Sequence, residues 1–170
     1  IDEIISSKSL EDIYNTLHGC SFIGSFLAYQ YAIDFNYAPF FNFDENSFVK
    51  AGIGAIRGIK KCFYSYGECY EDAIYYVHEN IDILRAKYGF LDFKPIPGHE
   101  PSLLDLQNCF CETDKYLRAK LPELKVDNIR IKQTYHPSPC PINLFFPSKW
   151  GITDMDSVCI QPSLKESTLF

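Results

Sequence analysis

Several features that would assign the chain to a common functional class are missing from its sequence. No apolar run reaches the about twenty residues that a membrane-spanning helix requires, and no signal peptide is visible. No Gly-rich loop is followed by Lys-Ser or Lys-Thr, so the sequence predicts no P-loop and no kinase activity for this chain by itself. No Cys-x-x-Cys pair is present, and we therefore expect no metal site, no iron–sulfur cluster and no other cofactor.

Cysteine usage and composition indicate a folded intracellular domain. The seven cysteines are odd in number and lack the spacing of a secreted disulfide scaffold, so we expect reduced thiols in a nuclear, cytoplasmic or viral setting. The chain starts at Ile1 rather than at a methionine, which indicates a processed or truncated product. Its 170 residues, 46% of them apolar, suffice for one domain with a hydrophobic core.

Charge is negative overall but unevenly placed. The formal net charge is −6, which disfavours strong nonspecific binding to DNA. Residues 50–61 nevertheless carry four basic side chains and no acidic one, and residues 115–132 carry six basic side chains against Glu123 and Asp127. If the fold brings the two stretches to one face, they form a basic patch; otherwise they are two ordinary solvated surfaces.

Local signals predict an all-α fold of about five to six helices. A capping box at Ser9 predicts a helix over Leu10–His18, and a second helix is expected over residues 26–35 after a short hairpin. Asp44 is expected to cap a helix that starts at Glu45. Helical periodicity then predicts one helix over residues 71–88 and another from a Ser102 cap to about Leu121.

Side-chain orientation is predicted for the last of these helices and for the tail. We expect Leu103, Leu106, Phe110, Tyr116 and Leu117 in its core stripe, with Gln107, Asp114 and Arg118 facing outward. The Pro-rich segment from Val126 is expected to drape over the helices, anchored by Phe145, Phe146 and Trp150.

The hairpin between the first two helices predicts a phosphate site. If the second helix starts at Gly24, its N-terminal N–H groups can approach an anion closely, because glycine has no Cβ. The run Gly58-Ile59-Lys60-Lys61 offers a further set of backbone and ammonium donors. Glycines 52, 54 and 58 also permit close contact between helices.

Five stretches of the sequence resemble one protein family. They are Gly24-Ser25-Phe26-Leu27-Ala28-Tyr29-Gln30 with Ala32-Ile33-Asp34, then Asn36-Tyr37-Ala38-Pro39, then Ala51-Gly52-Ile53-Gly54-Ala55 through Ile59, and later Asp105 to Glu112 with Phe145 to Ile152. This pattern is similar to the helical domain of 5-hydroxymethyluracil DNA kinases and related thymine-hypermodification proteins, a divergent branch of the helix–hairpin–helix DNA glycosylase superfamily. The likeness covers most of residues 10–152, so we expect a helical domain over residues 1–152 and a C-terminal extension over 153–170.

The resemblance implies a site as well as a fold. In the superfamily a catalytic Asp follows the second hairpin glycine by about twenty residues, which corresponds to Asp44 here, with Glu45 and Ser47 as alternatives in nearby register. The family pattern has prolines at the positions of Ser25 and Ile53, and this chain lacks both. No lysine occupies the hairpin, so Schiff-base lyase chemistry is not expected.

Two functions follow from these observations. The first is a DNA-binding domain that handles a modified pyrimidine in base hypermodification, with an extruded base lying against Tyr29, Gln30 and Phe48 and its sugar or 5-substituent facing Asp44. The residues assigned to nucleic-acid binding are Gly19, Gly24, Ser25, Tyr29, Gln30, Lys50, Arg57, Lys60 and Lys61. The second is a noncatalytic component of a larger assembly that contacts protein through its acidic surface and its tail. For Asp44 itself the alternative role is that of a helix cap.

Overall fold

The computed structural model describes residues 1–124 and 145–152, and this part of the chain is helical. Its only β-type pairing is an isolated bridge between Ile96 and His99. The all-α prediction is therefore confirmed for the described residues. The helices are α1 (Asp2–Ile5), α2 (Leu10–His18), α3 (Ser25–Asn36), α4 (Ile53–Cys62), α5 (Tyr70–Glu79), α6 (Ile81–Lys87) and α7 (Leu103–Lys120), followed by a 3₁₀ turn (Ser148–Trp150).

Helices α2 and α3 form the first packed pair. Helix α2 has the predicted bounds, and the Ser9 hydroxyl accepts a hydrogen bond from the Asp12 N–H at 3.0 Å, as the capping signal requires. Helix α3 packs against it through Ala28 and Ala32, which are fully buried. Small residues four apart allow the two helices to lie close together.

Helices α4 and α7 form the second and most extensive pair. A Cβ built on Gly58 would lie 2.0 Å from the backbone oxygen of Phe110, so only glycine fits at this crossing. Gly54 faces Cys111 in the same way, with a Cβ position 2.4 Å from the Cys111 Sγ. The prediction that these glycines permit close helix contact is confirmed.

Two expected helices differ in the structure. Asp44 caps no helix, because residues 44–47 form a tight turn and the next helix begins only at Ile53. The helix predicted over 71–88 is divided at Asn80, whose backbone leaves the helical region at φ −113° and ψ 18°. The Asn80 side-chain amide donates to the Tyr76 carbonyl at 2.8 Å, a local bond that competes with regular helix geometry.

The outward face predicted for α7 is also wrong. Gln107 and Asp114 are each 1% exposed, whereas Tyr116, expected in the core, is 55% exposed. Helix α7 packs against both α4 and α5, so more than one side of it is covered. Asp114 can be buried because the Lys61 ammonium lies 2.9 Å from its Oδ1.

The described part of the tail, residues 145–152, is anchored by Trp150 rather than by all three predicted aromatics. Trp150 packs against Tyr37, His99 and Phe146. Phe145 is 93% exposed, so its ring does not hold the described part of the tail against the helices. Most of the predicted Pro-rich wrap and the extension 153–170 lie outside the described residues. In the described ranges, no helix is both long enough and apolar enough to cross a membrane.

Candidate functional site

Asp44 lies just beyond the C-terminal end of α3. The Asn36 side chain, fully buried, holds the following segment there with two hydrogen bonds: its Nδ2 donates to the Phe43 carbonyl at 3.0 Å, and its Oδ1 accepts from the Phe43 N–H at 3.0 Å. A side-chain amide can satisfy one backbone residue in this paired way because it carries both a donor and an acceptor. The position of Asp44 is therefore fixed by the residue before it.

The turn at residues 44–47 presents the Asp44 carboxylate to solvent. The Asn46 N–H donates to Asp44 Oδ1 at 2.9 Å, and the Ser47 hydroxyl donates to the Asp44 carbonyl at 2.6 Å. This is an Asx turn, in which the Asp side chain organises its own backbone. The Asn46 Oδ1 accepts the Leu103 N–H at 3.0 Å, which ties the turn to the start of α7.

His99 stands on the opposite wall, at the end of a four-residue turn. The His99 N–H donates to the Ile96 carbonyl at 2.9 Å, and Gly98 has a φ of +82°, which fits the Pro97-Gly98 centre of a type II turn. The His99 Nε2 lies 2.8 Å from Asp105 Oδ2 and hydrogen-bonds with it. The same carboxylate oxygen accepts the Ser102 N–H at 2.8 Å as part of the α7 capping box, so the imidazole is oriented by a fixed group.

Trp150 and Lys149 bring the tail onto this pocket. The Trp150 ring stacks on the His99 imidazole with centroids 3.6 Å apart, and its indole N–H donates to Glu45 Oε1 at 3.0 Å. The Lys149 ammonium lies 3.2 Å from the same oxygen and 5.4 Å from the centre of the Tyr37 ring. Glu45 thus joins residues 149–150 to the segment that follows α3.

Together these groups enclose an open cavity of about 310 Å³. Its lining includes Asp44, Glu45, His99, Glu100 and Trp150. Burial, followed by the negative charges of Glu45 and Asp105, raises the pKa of Tyr37 well above its ordinary range. Tyr37 is therefore neutral, and its ring packs against Trp150 and the Lys149 ammonium.

The three candidate catalytic residues, Asp44, Glu45 and Ser47, differ in whether their side-chain oxygens already have protein partners. The Glu45 carboxylate is 13% exposed and already binds Lys149 and Trp150, so its place is structural. The Ser47 hydroxyl is used within the turn. Asp44 is exposed and lines the cavity, and among the described contacts its carboxylate is held through Oδ1 alone.

The hairpin residues lie at the other end of α3. Gly24 is the N-cap of α3 and has no side-chain cap, and nothing lies within 4 Å of the position of a Cβ on it. The Ser25 and Tyr14 hydroxyls lie 3.0 Å apart, whereas Gly19 ends α2. Helix α3 has 12 residues and is about 18 Å long, so the hairpin at its start lies at the opposite end from Asn36 and the segment that carries Asp44.

Contrary to the prediction, Tyr29 and Phe48 do not line an open pocket. Tyr29 is fully buried, and its ring lies 6.0 Å from that of Phe48, which in turn lies 5.1 Å from Tyr14. The three rings fill the core between α2 and α3. Burial raises the pKa of Tyr29, and its hydroxyl has no hydrogen-bond partner in the described structure. Gln30 is half-buried beside them.

The predicted basic residues are divided among different surfaces. Lys50 lies 3.7 Å from Glu71, and Lys60 is exposed over the Tyr70 ring. The Lys61 side chain is 1% exposed and bound to Asp114, so it is not available to DNA. Arg57 instead lines a cleft that it shares with Lys115 and Arg118 of α7. Within the described residues, the two basic stretches of the sequence therefore meet through Arg57 of α4 and through Lys115 and Arg118 of α7.

Sequence reasoning missed the wall formed by His99, Asp105, Lys149 and Trp150. Asp105 lies in one of the stretches that resemble the family, Lys149 and Trp150 lie in another, and Tyr37 lies in a third. The resemblance of all three stretches to one family could therefore have indicated that these residues belong to one site. Three stretches that lie far apart in the sequence meet around one cavity. His99 had no such signal, since it lies in a loop between them.

Comparison with known proteins gives one match. A family model described as 5-hmdU DNA kinase, helical domain, matches residues 1–126, which is most of the chain. Searches of curated proteins and of solved structures gave no match. The matched range includes α1 to α7 and the turn that carries Asp44. The chain therefore belongs to the family of 5-hmdU DNA kinase helical domains.

Proposed function

We propose that this chain is a DNA-binding helical domain that handles a 5-hydroxymethyluracil-type pyrimidine during base hypermodification inside the cell. The observation that carries the proposal is the cavity beside Asp44, which Trp150 and His99 line. Tyr37 packs against Trp150 and Asp105 binds His99, so three family-like stretches hold the lining in place. Their convergence on a space that contains an exposed carboxylate is what a ligand site requires. Family membership supplies the modified base as the ligand to test.

Asp44 is the residue that we assign to the chemistry. A carboxylate at this place stabilises positive charge that develops on the sugar, or activates a nucleophile at the 5-substituent. Glu45 and Asp105 are positioning residues, because one holds Trp150 and the other holds His99. The rings of His99 and Trp150 stack face to face, and a planar base can extend this stack by lying against one of its outer faces.

The start of α3 is the part that we assign to the DNA backbone. The first intrahelical bond of α3 runs from the Ala28 N–H to the Gly24 carbonyl, so the N–H groups of Ser25, Phe26 and Leu27 have no acceptor within the helix. These donors and the helix dipole favour a phosphate. Because this chain carries no P-loop, phosphoryl transfer in our proposal belongs to a separate kinase domain.

The test is the binding of the purified chain to matched duplexes that contain 5-hydroxymethyluracil or thymine, over a salt series. We expect tighter binding to the modified duplex, with affinity falling as salt rises. Asp44→Asn should abolish the preference for the modified base and keep the salt-dependent affinity for plain duplex. Asp82→Asn is the matched control, because Asp82 is 90% exposed on α6, away from the cavity.

A second candidate, a noncatalytic component of an assembly, is favoured by an apolar stripe on α3. Leu27, Tyr31 and Phe35 recur every four residues and are 42%, 43% and 39% exposed. One exposed apolar face on a helix marks a surface for protein contact. Absence of binding to either duplex at low salt would overturn the DNA function and leave this candidate.

A further inference from the structure

A cleft of about 350 Å³ lies between α4 and α7, away from the Asp44 cavity. One side is the first turn of α4, with Ile53 and Gly54, followed by Arg57. The other side is α7, with Lys115 and Arg118. Three cationic side chains therefore face one concave space on a protein whose net charge is −6.

The acidic groups nearby leave this space positive. Asp114, at the base of the cleft, is bound by Lys61 at 2.9 Å and by Arg118 at 3.3 Å, and Glu112 pairs with Lys115. Arg57, Lys61, Lys115 and Arg118 thus supply four positive charges against two negative charges. The Arg57 Nε is buried and has no hydrogen-bond partner in the described structure. A buried guanidinium donor without a protein acceptor is free to bind an anion that enters the cleft.

The start of α4 adds backbone donors to the same space. Its N-cap is Gly52, which has no side chain to cap the helix, and its first turn contains no acidic residue. The first intrahelical bond runs from the Ile56 N–H to the Gly52 carbonyl at 2.9 Å, so the N–H groups of Ile53 and Gly54 have no acceptor within the helix. The positive end of the helix dipole therefore coincides with the three cations.

We propose that the cleft between α4 and α7 binds a phosphoryl group through Arg57, Lys115 and the first-turn N–H groups of α4. A planar guanidinium and free backbone donors together fit the oxygens of a phosphoryl group. The proposal deepens the proposed function and rests on it where the phosphate belongs to DNA. Free inorganic phosphate or a nucleotide would offer the same chemistry.

The location of the cleft favours DNA as the source. The Phe26 ring, in the first turn of α3, lies over Gly52, where a Cβ would be 2.6 Å from the ring. The uncapped starts of α3 and α4 are therefore neighbours. One strand of DNA can place one phosphate at Gly24 and another in the cleft, and both contacts are independent of sequence.

The first experiment measures inorganic phosphate binding by ³¹P NMR line broadening and by calorimetry. Arg57→Gln should weaken binding at least tenfold, since it removes the orphan donor and one charge. Lys87→Gln is the charge-matched control, because Lys87 lies on α6 and contacts Tyr88 outside the cleft. We expect it to leave the affinity for phosphate within twofold of wild type. Equal losses in both variants, or no phosphate binding at all, would overturn the proposal.

A second variant tests the backbone donors without removing charge. Ile53→Pro deletes one N–H at the first helical position, where proline is tolerated, and Gly52 at φ −71° and ψ 164° already has the conformation that precedes proline. We expect a folded protein whose affinity for phosphate falls several-fold. Unchanged affinity in a folded Ile53→Pro protein would contradict a role for the helix start.

The same variants on duplex DNA separate the two sources of phosphate and the two proposals. If DNA occupies the cleft, Arg57→Gln lowers the salt slope of DNA binding by about one. If phosphate binding depends on Arg57 while DNA binding does not, the site is upheld for a free phosphate or nucleotide. If the chain binds phosphate through Arg57 but does not bind DNA, the cleft stands and the DNA function fails.

Discussion

Gly58→Ala is predicted to destabilise the protein although alanine is the better helix former. In a helix interior, alanine is favoured over glycine by about 1 kcal/mol. At Gly58, however, a Cβ would lie 2.0 Å from the carbonyl oxygen, 2.8 Å from the carbonyl carbon and 3.2 Å from the Cα of Phe110. All three atoms are backbone, so no side-chain rotation relieves the clash, and α4 and α7 must separate.

Overpacking of this kind costs about 1–3 kcal/mol, and a backbone clash belongs at the upper end of that range. With the helix preference subtracted, we expect a loss of about 2 kcal/mol in the free energy of unfolding. For a chain of this size, that corresponds to a fall in Tm of about 4–8 °C. Urea denaturation followed by circular dichroism at 222 nm measures both quantities.

Gly54→Ala is the matched comparison for that prediction. Its Cβ would lie 2.4 Å from the Cys111 Sγ, which belongs to a side chain that can rotate or be removed. We expect Gly54→Ala to cost less than Gly58→Ala, and Gly54→Ala/Cys111→Ala to recover most of the loss. A Gly58→Ala protein with a raised Tm would refute the close packing of α4 on α7.

Three further predictions follow from buried or tail contacts. Lys61→Met should cost about 2–4 kcal/mol in urea denaturation, because it leaves Asp114 buried with Arg118 alone, and adding Asp114→Leu should restore much of the loss. Glu45→Ala, which removes the oxygen that binds both Trp150 and Lys149, should release residues 149–150 and shift the emission of Trp150, the only tryptophan, to longer wavelength; unchanged emission would contradict the anchor. The raised pKa of Tyr29 means that the folded chain keeps a proton that the unfolded chain releases near pH 10, so stability falls as the pH rises above about 10. Tyr29→Phe should reduce this alkaline loss and cost little at pH 7, since the buried hydroxyl has no described partner; urea midpoints between pH 7 and 11 measure both effects.

Features encoded within a few residues of sequence were predictable. The Ser9 and Ser102 caps both accept the expected N–H, from Asp12 and Asp105 respectively, and they set the starts of α2 and α7. The start of α3 at Gly24 follows from a residue that lacks a side chain. In each case the cap and its partner lie within one helical turn, so no distant contact is needed to fix the boundary.

Features that depend on distant contacts were not predictable from the pattern. Asp114 was expected to face solvent, and it is buried only because Lys61 lies 53 positions earlier in sequence and reaches it from α4. The break at Asn80 has a local origin instead, because its side-chain bond to the Tyr76 carbonyl spans only four residues, and the spacing of apolar residues does not reveal such a bond. The wall of the Asp44 cavity depends on a bond between Glu45 and Trp150, which are 105 positions apart, and no local periodicity encodes such a pair.

That long-range bond sets the order in which the two sites form as the chain is made. The cleft is complete once α7 has been synthesised, because all of its lining lies between Ile53 and Arg118. The Asp44 cavity still lacks its lid of Lys149 and Trp150 at that moment. A nascent chain that has emerged as far as Arg118 therefore contains every lining residue of the cleft, whereas the Asp44 cavity can be completed only after Trp150 has left the exit tunnel.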